Sequence, residues 1–291
     1  MNKNIDIIGV QLDQGASTRG VNMGPLAIRH APFHEGLTAL GIDWIDKGDV
    51  IPMLNGQSRP NLKNYEAIVD ANKQLYAEVK ESLEKNRLSV VLGGDHSIAA
   101  GSIPAVREKY EDLGVIWIDA HGDFNNDEIS ESGNMHGMPY SAVTGYGPES
   151  MIPFSNARVD SNKCVQIAGR DIDIKERENL KKAGVTVFSI YDVDKMGMAK
   201  VIEEAIKIAG PHIHVSFDLD AVTPDEAPGV GTPVHSGLSV REAFLVMEEL
   251  FLSDKVVACD MVEVNPVFDV RNKTGKLASE LILSILGKTV Y

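Results

Sequence analysis

Short apolar runs rich in β-branched residues recur along the chain at 5–10, 42–45, 88–92, 115–118, 164–168, 185–189, 213–217 and 256–262. They alternate little between apolar and polar residues, which predicts strands covered on both faces. Helical periodicity lies between many of them. Over 64–84, Ile68, Ala71, Leu75, Val79 and Leu83 fall on one face, with Glu and Lys opposite. Ser239-Val240-Arg241-Glu242 is a capping box, and Val240, Phe244, Met247 and Phe251 then form an apolar stripe. Gly184 suits the C-cap of a helix over 176–183, and a final helix is predicted over 276–286. The alternation predicts a mostly parallel sheet with helices on both faces. A chain of 291 residues accommodates one large α/β domain or two small ones. No repeat, low-complexity tract or Pro/Ser-rich linker divides it, so one domain over 1–291 is expected. Residues 15–24 and 124 to about 156 lack clear periodicity. Loops that long in a compact domain are usually functional or mobile.

Composition narrows the partners. The 43% hydrophobic and 24% charged content is ordinary for a globular protein. A net charge of −14 argues against nonspecific binding to nucleic acid or an anionic membrane. It suits attraction of cationic ligands, although a merely acidic surface gives the same number. Cys164 and Cys259 have no C-x-x-C partner and fit reduced core thiols. Met1-Asn2-Lys3-Asn4 and the short run after it lack the apolar stretch of a signal peptide. No run approaches the roughly 18 apolar residues of a membrane helix, so a cytoplasmic location is expected.

The polar residues then fall in a pattern. Gly93-Gly94-Asp95-His96-Ser97, Asp119-Ala120-His121-Gly122-Asp123, Gly169-Arg170-Asp171-Ile172-Asp173, Asp218-Leu219-Asp220 and Glu263-Val264-Asn265-Pro266 each follow a predicted strand. Ligands of open parallel sheets bind beyond the carboxyl ends of strands, so five clusters distant in sequence can meet on one rim. Extended backbone would point Asp119, His121 and Asp123 to the same side. Taken singly, each residue has an ordinary alternative: Asp218-x-Asp220 as a solvated pair, His96 as a core histidine, Asp95 or Ser97 as a cap, Glu263 as a surface ion-pair partner, Thr232 as part of a turn. If His96, Asp119, His121, Asp123, Asp218 and Asp220 converge, four carboxylates repel strongly, and two divalent cations balance their charge. Oxygen-rich ligation with two imidazoles and no thiolate favours a harder ion such as Mn²⁺ over structural zinc. Adjacent metals lower the pKa of a bridging water and supply hydroxide at neutral pH, which makes a binuclear metallohydrolase the expectation.

These motifs resemble the ureohydrolase family, and within it the bacterial-type arginases. Gly93–Ser97, 119–123 and Ser216-Phe217-Asp218-Leu219-Asp220 are similar to the family's three metal motifs in order and spacing. Val262-Glu263-Val264-Asn265-Pro266 and Gly231-Thr232-Pro233 also fit, and the likeness runs from Arg19 to Lys276. The resemblance implies an eight-stranded doubly wound sheet and assembly as homo-trimers or homo-hexamers. It implies two Mn²⁺ per subunit. One would be held by His96, Asp119, Asp123 and Asp218, the other by His121, Asp119, Asp218 and Asp220, with Asp119 and Asp218 bridging.

Asn125, Ser130, Ser132, Asn134 and His136 match the arginase loop that recognises an amino acid's α-carboxylate, and Asp173, with Glu176 behind it, matches the acid that receives the α-ammonium. Donors for an anion beside a carboxylate for a cation make a zwitterion site, implying L-arginine. The implied chemistry is hydrolysis to L-ornithine and urea by metal-bridging hydroxide. Glu263 would orient the guanidinium, Asp123 would relay a proton to the leaving amine, and His136 would exchange protons with solvent. Thr232 joins the substrate contacts. Three departures from the family pattern stand out. Ala221 and Thr223 change the usual Asp-Gly-x-Asp-Pro, His235-Ser236-Gly237 replaces Val-Gly-Gly or similar, and Asp127 and Glu131 add negative charge to the loop. Rival readings are a ureohydrolase acting on agmatine or a guanidino acid, and a non-catalytic α/β protein with a decayed site. No G-x-G-x-x-G follows a strand, which argues against a dinucleotide fold.

Overall fold

The computed structural model describes residues 4–289. Residues 1–3, where the absence of a signal peptide is expected, and the last two residues of the expected domain lie outside them. Eight strands form one sheet: β1 (Asn4–Val10), β2 (Asp43–Val50), β3 (Leu88–Leu92), β4 (Leu113–Ile118), β5 (Cys164–Ile167), β6 (Thr186–Phe188), β7 (His212–Asp218) and β8 (Val256–Val262). Their order is β2-β1-β3-β8-β7-β4-β5-β6, and every pairing is parallel. All carboxyl ends therefore share one edge. The strands that precede the five polar clusters, β3, β8, β7, β4 and β5, are contiguous in that order.

Ten helices cover the sheet: α1 (Gly24–His30), α2 (Phe33–Ala39), α3 (Tyr65–Glu84), α4 (Ala99–Lys109), α5 (Pro139–Val143), α6 (Ile174–Ala183), α7 (Ile190–Met196), α8 (Met198–Ala209), α9 (Val240–Ser253) and α10 (Lys273–Ile285), counted among the described residues. Two apolar layers result. Ile5, Ile7, Ile116 and Ile118 pack toward α1, α2, α8, α9 and α10. Val10, Val115 and Trp117 pack toward α3, α4 and α5 on the other face. This two-sided burial is why the strands show so little alternation.

The departures from expectation have simple causes. β2 extends well past 45 because it is the sheet edge and half exposed, so its polar Asp46, Lys47 and Asp49 hide the strand. α4 escaped periodicity because Ala99–Val106 is buried on every side, which removes amphipathic contrast. The aperiodic stretch after 124 holds only short turns and α5. Among the described residues, no helix is long and apolar enough to cross a membrane. Cys164 and Cys259 are free, buried thiols.

Candidate active site

The β3–α4 connection fixes the first imidazole. A methyl group on Gly94 would lie 1.9 Å from Leu12 O, so only glycine lets the chain pass there. Asp95 then caps a tight turn over His96–Ile98 by accepting from Ser97 N, as a cap is expected to do. His96 is thereby buried, with Nε2 2.8 Å from Ser216 Oγ on β7. Its Nδ1 faces three carboxylates: Asp119 Oδ2 at 3.0 Å, Asp123 Oδ2 at 3.1 Å and Asp218 Oδ2 at 3.3 Å. None of the three is aligned as a hydrogen-bond partner, which leaves Nδ1 an orphaned buried atom.

A second group lies beside the first. His121 Nδ1 is 3.0 Å from Asp220 Oδ2 and 3.5 Å from Asp119 Oδ1. Asp119 belongs to both groups. Backbone donors aim the carboxylates: Asp119 Oδ1 accepts from His121 N, Asp218 Oδ1 from Asp220 N, and Asp220 Oδ1 from Ala120 N. The six residues singled out as metal ligands are thus brought together. The route differs from simple pleating, because β4 ends at Ile118 and Asp123 adopts a left-handed backbone with φ 48°. Glu263, at φ 63°, is left-handed as well, the kind of strain that collects at functional sites.

The electrostatics suit a cation. Burial, then the charge of Asp119, pushes Asp123 up to about 6 despite His96. Burial followed by Asp220 and Asp119 drives Asp218 well above the usual carboxylate range. Burial raises Asp119 too, but the adjacent imidazoles of His121 and His96 outweigh it and hold that carboxyl low. An orphaned imidazole nitrogen among crowded, mutually repelling carboxylates is the donor set of a hard divalent ion, and the residues present fit one.

The cage opens into a cleft of about 250 Å³ whose lining includes His121, Asp123, Asn125, Asn134, Asp173 and Thr232. Ser130, Ser132, His136 and Glu176 line it as well. Ser130 Oγ accepts from Gly133 N and Ser132 Oγ from Asn134 N, so both hydroxyls keep their hydrogens for a ligand. Asn125 differs, because its amide nitrogen is shared between Asp173 Oδ2 and Glu176 Oε1, each at 3.3 Å. Thr232 Oγ1 donates to Asp220 Oδ2 at 3.2 Å. Asp127 and Glu131 are absent from the lining.

Glu176 is buried and acts as a tie. Its Oε1 accepts from Phe124 N at 2.8 Å and its Oε2 from Asp173 N at 3.2 Å, completing the capping box that starts α6. A methyl on Gly122 would come within 2.5 Å of its carboxyl carbon. Glu263 is buried rather than paired with a surface lysine, and its Oε1 accepts from His96 N at 2.9 Å. The same oxygen lies 3.2 Å from His136 Nδ1. Burial lowers His136, but the Glu263 hydrogen bond and charge outweigh it and raise the imidazole to about 9.

Several contributors were not among the expected residues. Trp117 Nε1 donates to Asp119 Oδ2 at 2.9 Å, and Ser216 holds His96. Both lie two positions before an acid at a strand end, a period-two signal available in the sequence. Arg170 donates to Asp220 O, Val234 O, His235 O and Ala221 O, which clamps the turn carrying Asp220. It sits in a quoted cluster, but nothing sequential marks its carbonyl partners. At the departure from Val-Gly-Gly, Ser236 keeps a left-handed backbone at φ 61°, so the turn survives without the usual glycine.

A parallel α/β sheet carries, at the carboxyl ends of its central strands, a histidine and aspartate cage that could hold metal ions. The arginase family model matches residues 3–287, and the chain belongs to that family. It is 42% identical over 295 residues to an arginase of Bacillus subtilis strain 168, covering 99% of each chain. An arginase of Staphylococcus aureus strain MSSA476 is 42% identical over 297 residues, covering 99% of this chain and 98% of that one. The solved native structure of arginase from Bacillus caldovelox superposes with a TM-score of 0.95 at 41% identity, over 99% of both chains.

Proposed function

We propose that this chain hydrolyses L-arginine to L-ornithine and urea with two Mn²⁺ per subunit. The observation that carries the reading is one cleft whose lining joins members of the carboxylate–imidazole cage to Ser130, Ser132, Asn134 and Asp173. His96, Asp119, Asp123 and Asp218 would hold one ion, and His121, Asp119, Asp218 and Asp220 the other. The bound ions supply Lewis acidity and make hydroxide available at neutral pH.

The chain's own residues do the rest. Hydroxyl and amide donors of Ser130, Ser132 and Asn134 receive the α-carboxylate, while Asp173 receives the α-ammonium. Asn125 and Glu176 keep Asp173 in place. The guanidinium is resonance-stabilised and a poor electrophile, so it needs fixed orientation, which Glu263 provides by charge-assisted hydrogen bonding. Asp123 would pass a proton to the side-chain nitrogen as its bond to the guanidinium carbon breaks, the oxygen supplied at the metal site ending in urea. With its raised pKa, His136 carries a proton at neutral pH and replaces the one consumed. Homo-trimeric or homo-hexameric assembly, a cytoplasmic location and a single domain over the whole chain complete the proposal.

Urea release from Mn²⁺-loaded protein is measured against L-arginine, agmatine and 4-guanidinobutyrate. L-Arginine is expected to be much the best substrate. Equal or faster turnover of agmatine would replace this reading with that of another ureohydrolase, and no urea from any of the three would remove it.

A further inference from the structure

The cleft has an unsolved charge problem at its outer end. Its lining includes Asp123, Asp171, Asp173, Glu176 and Asp218 but no lysine or arginine. Even with the cage neutralised, an entering carboxylate meets Asp171 and Asp173, and neutral hydroxyls and amides alone compensate poorly for anion repulsion. An exposed cation, Lys63, lies against one of the lining residues. Lys63 Nζ donates to Asn134 Oδ1 at 3.2 Å, and Lys63 N donates to Gly133 O at 3.0 Å.

The segment carrying Lys63 is built to hold that position. Residues 59–62 close on themselves through paired backbone hydrogen bonds between Arg59 and Leu62. Asn61 and Asn64 bend the chain with left-handed φ of 55° and 51°. Leu62 is buried as an anchor, and the Arg59 guanidinium lies 3.7 Å from the Tyr65 ring centre. Asn61 Nδ2 also donates to Asp127 O at 2.8 Å, so this bend grips the substrate loop at both ends.

The bond to Asn134 has a directional consequence. An ammonium only donates, so Oδ1 of Asn134 is held as the acceptor and the NH₂ side is turned away from Lys63. Ser17 Oγ lies against both ends of this amide, 3.1 Å from Oδ1 and 2.9 Å from Nδ2, so Oδ1 has a second donor besides Lys63 and one amide hydrogen is left for a ligand in the cleft. We propose that Lys63 is a positioning and specificity residue that makes Asn134 a carboxylate donor and sets a positive potential at the carboxylate end, so that the site favours an amino acid over the corresponding amine. This rests on the L-arginine reading above.

The test compares Lys63→Met, Lys63→Gln and Lys63→Arg with the parent protein, all Mn²⁺-loaded, on L-arginine, L-argininamide and agmatine. The amide retains the α-ammonium and lacks the negative charge. Lys63→Met and Lys63→Gln are expected to raise KM for L-arginine about tenfold, the scale of a lost charge-assisted contact, with kcat little changed. KM for L-argininamide and agmatine should hold or fall, and Lys63→Arg should recover most of the L-arginine affinity. Adding NaCl should raise KM for L-arginine more steeply in the parent protein than in Lys63→Met. Equal increases for arginine and argininamide would reduce Lys63 to a brace between loops, and unchanged KM for L-arginine would remove it from recognition altogether. Failure of the underlying reading is separately visible, as absence of urea from L-arginine with the parent protein.

Discussion

Trp117 lies flat against His96, with ring centroids 3.9 Å apart and planes 9° from parallel. Its Nε1 also donates to Asp119 Oδ2 at 2.9 Å, and Tyr140 stacks on its far side at 4.6 Å. One indole therefore touches two inferred metal ligands, His96 and the shared Asp119. The only other tryptophan is Trp44, at the sheet edge. In a Trp44→Phe protein, Mn²⁺ titration should change the emission of Trp117 with saturation at two equivalents. Emission that ignores the metal would argue against the cage as its binding place. Trp117→Phe should weaken metal affinity roughly 10-fold or more, as loss of a partner supporting a metal ligand commonly does.

Asp119 belongs to both geometric groups of metal-competent side chains, and in the proposed ligand sets it is shared by the two ions together with Asp218. Asp119→Asn should deplete both ions, whereas Asp123→Asn and Asp220→Asn should each deplete mainly one. Elemental analysis after gel filtration measures this directly. Two ions retained in Asp119→Asn would rule out a shared ligand at that position.

Glu176 links three backbone or amide donors on two segments. Its Gln variant keeps the volume but can accept through only one atom, so it should raise KM for L-arginine several-fold while leaving metal content unchanged. Glu176→Ala leaves the buried Phe124 N–H without its partner, at a cost of about 1–3 kcal/mol in stability. Thermal unfolding together with KM separates the two variants. A Gln variant with normal KM would show that Asp173 and Asn125 are held well enough without the carboxylate.

Much of this architecture was legible because burial on both sides of a parallel sheet leaves continuous apolar runs, and every strand but the half-exposed edge strand β2 appears as such a run. The site was legible for a related reason: polar residues directly after those runs must lie on one rim once every strand is parallel. What sequence did not convey was tertiary in origin. The all-buried α4 carries no stripe, and the polar edge of β2 resembles a loop. Arg170 works through the carbonyls of Asp220 and Val234, which have no signature in residue type. Asp123 reaches the cage by a left-handed turn where alternation alone suggested extended chain.

The two thiols should be inert in the folded protein. Burial, opposed by Tyr140 and helped by the charge of Asp160, pushes Cys164 up to about 12, and burial with the charge of Asp260 raises Cys259 as well. The thiolate is the reactive form, and neither sulfur reaches solvent. Disulfide-exchange reagent at pH 8 should label neither in the native state and both in denaturant. Rapid native labelling of either one would contradict the packing described.

At the sheet edge, Arg29 of α1 clamps β2 by a fork to Asp46, with Nε to Oδ2 and Nη2 to Oδ1 both at 2.8 Å, and it also pairs with Asp49. Burial raises the Asp46 carboxyl, but the hydrogen bonds and charge of Arg29 outweigh it, so its folded pKa lies below the ordinary 3.8. A carboxyl lowered in this way binds fewer protons folded than unfolded. Its stabilising contribution is present above its unfolded pKa and is lost as pH falls through the lower folded value. Arg29→Met should therefore cost about 1–2 kcal/mol at neutral pH, a modest figure because Asp46 is partly exposed. The gap from the parent protein should begin to narrow below about pH 4, where the ordinary carboxyl is protonated, and close as pH falls through the lower folded value. Denaturant unfolding of both proteins at several pH values, with chelator present so that metal loss does not contribute, measures that gap. A gap that stays constant into acid would assign the Arg29 contribution to packing of its aliphatic stem rather than to its charge.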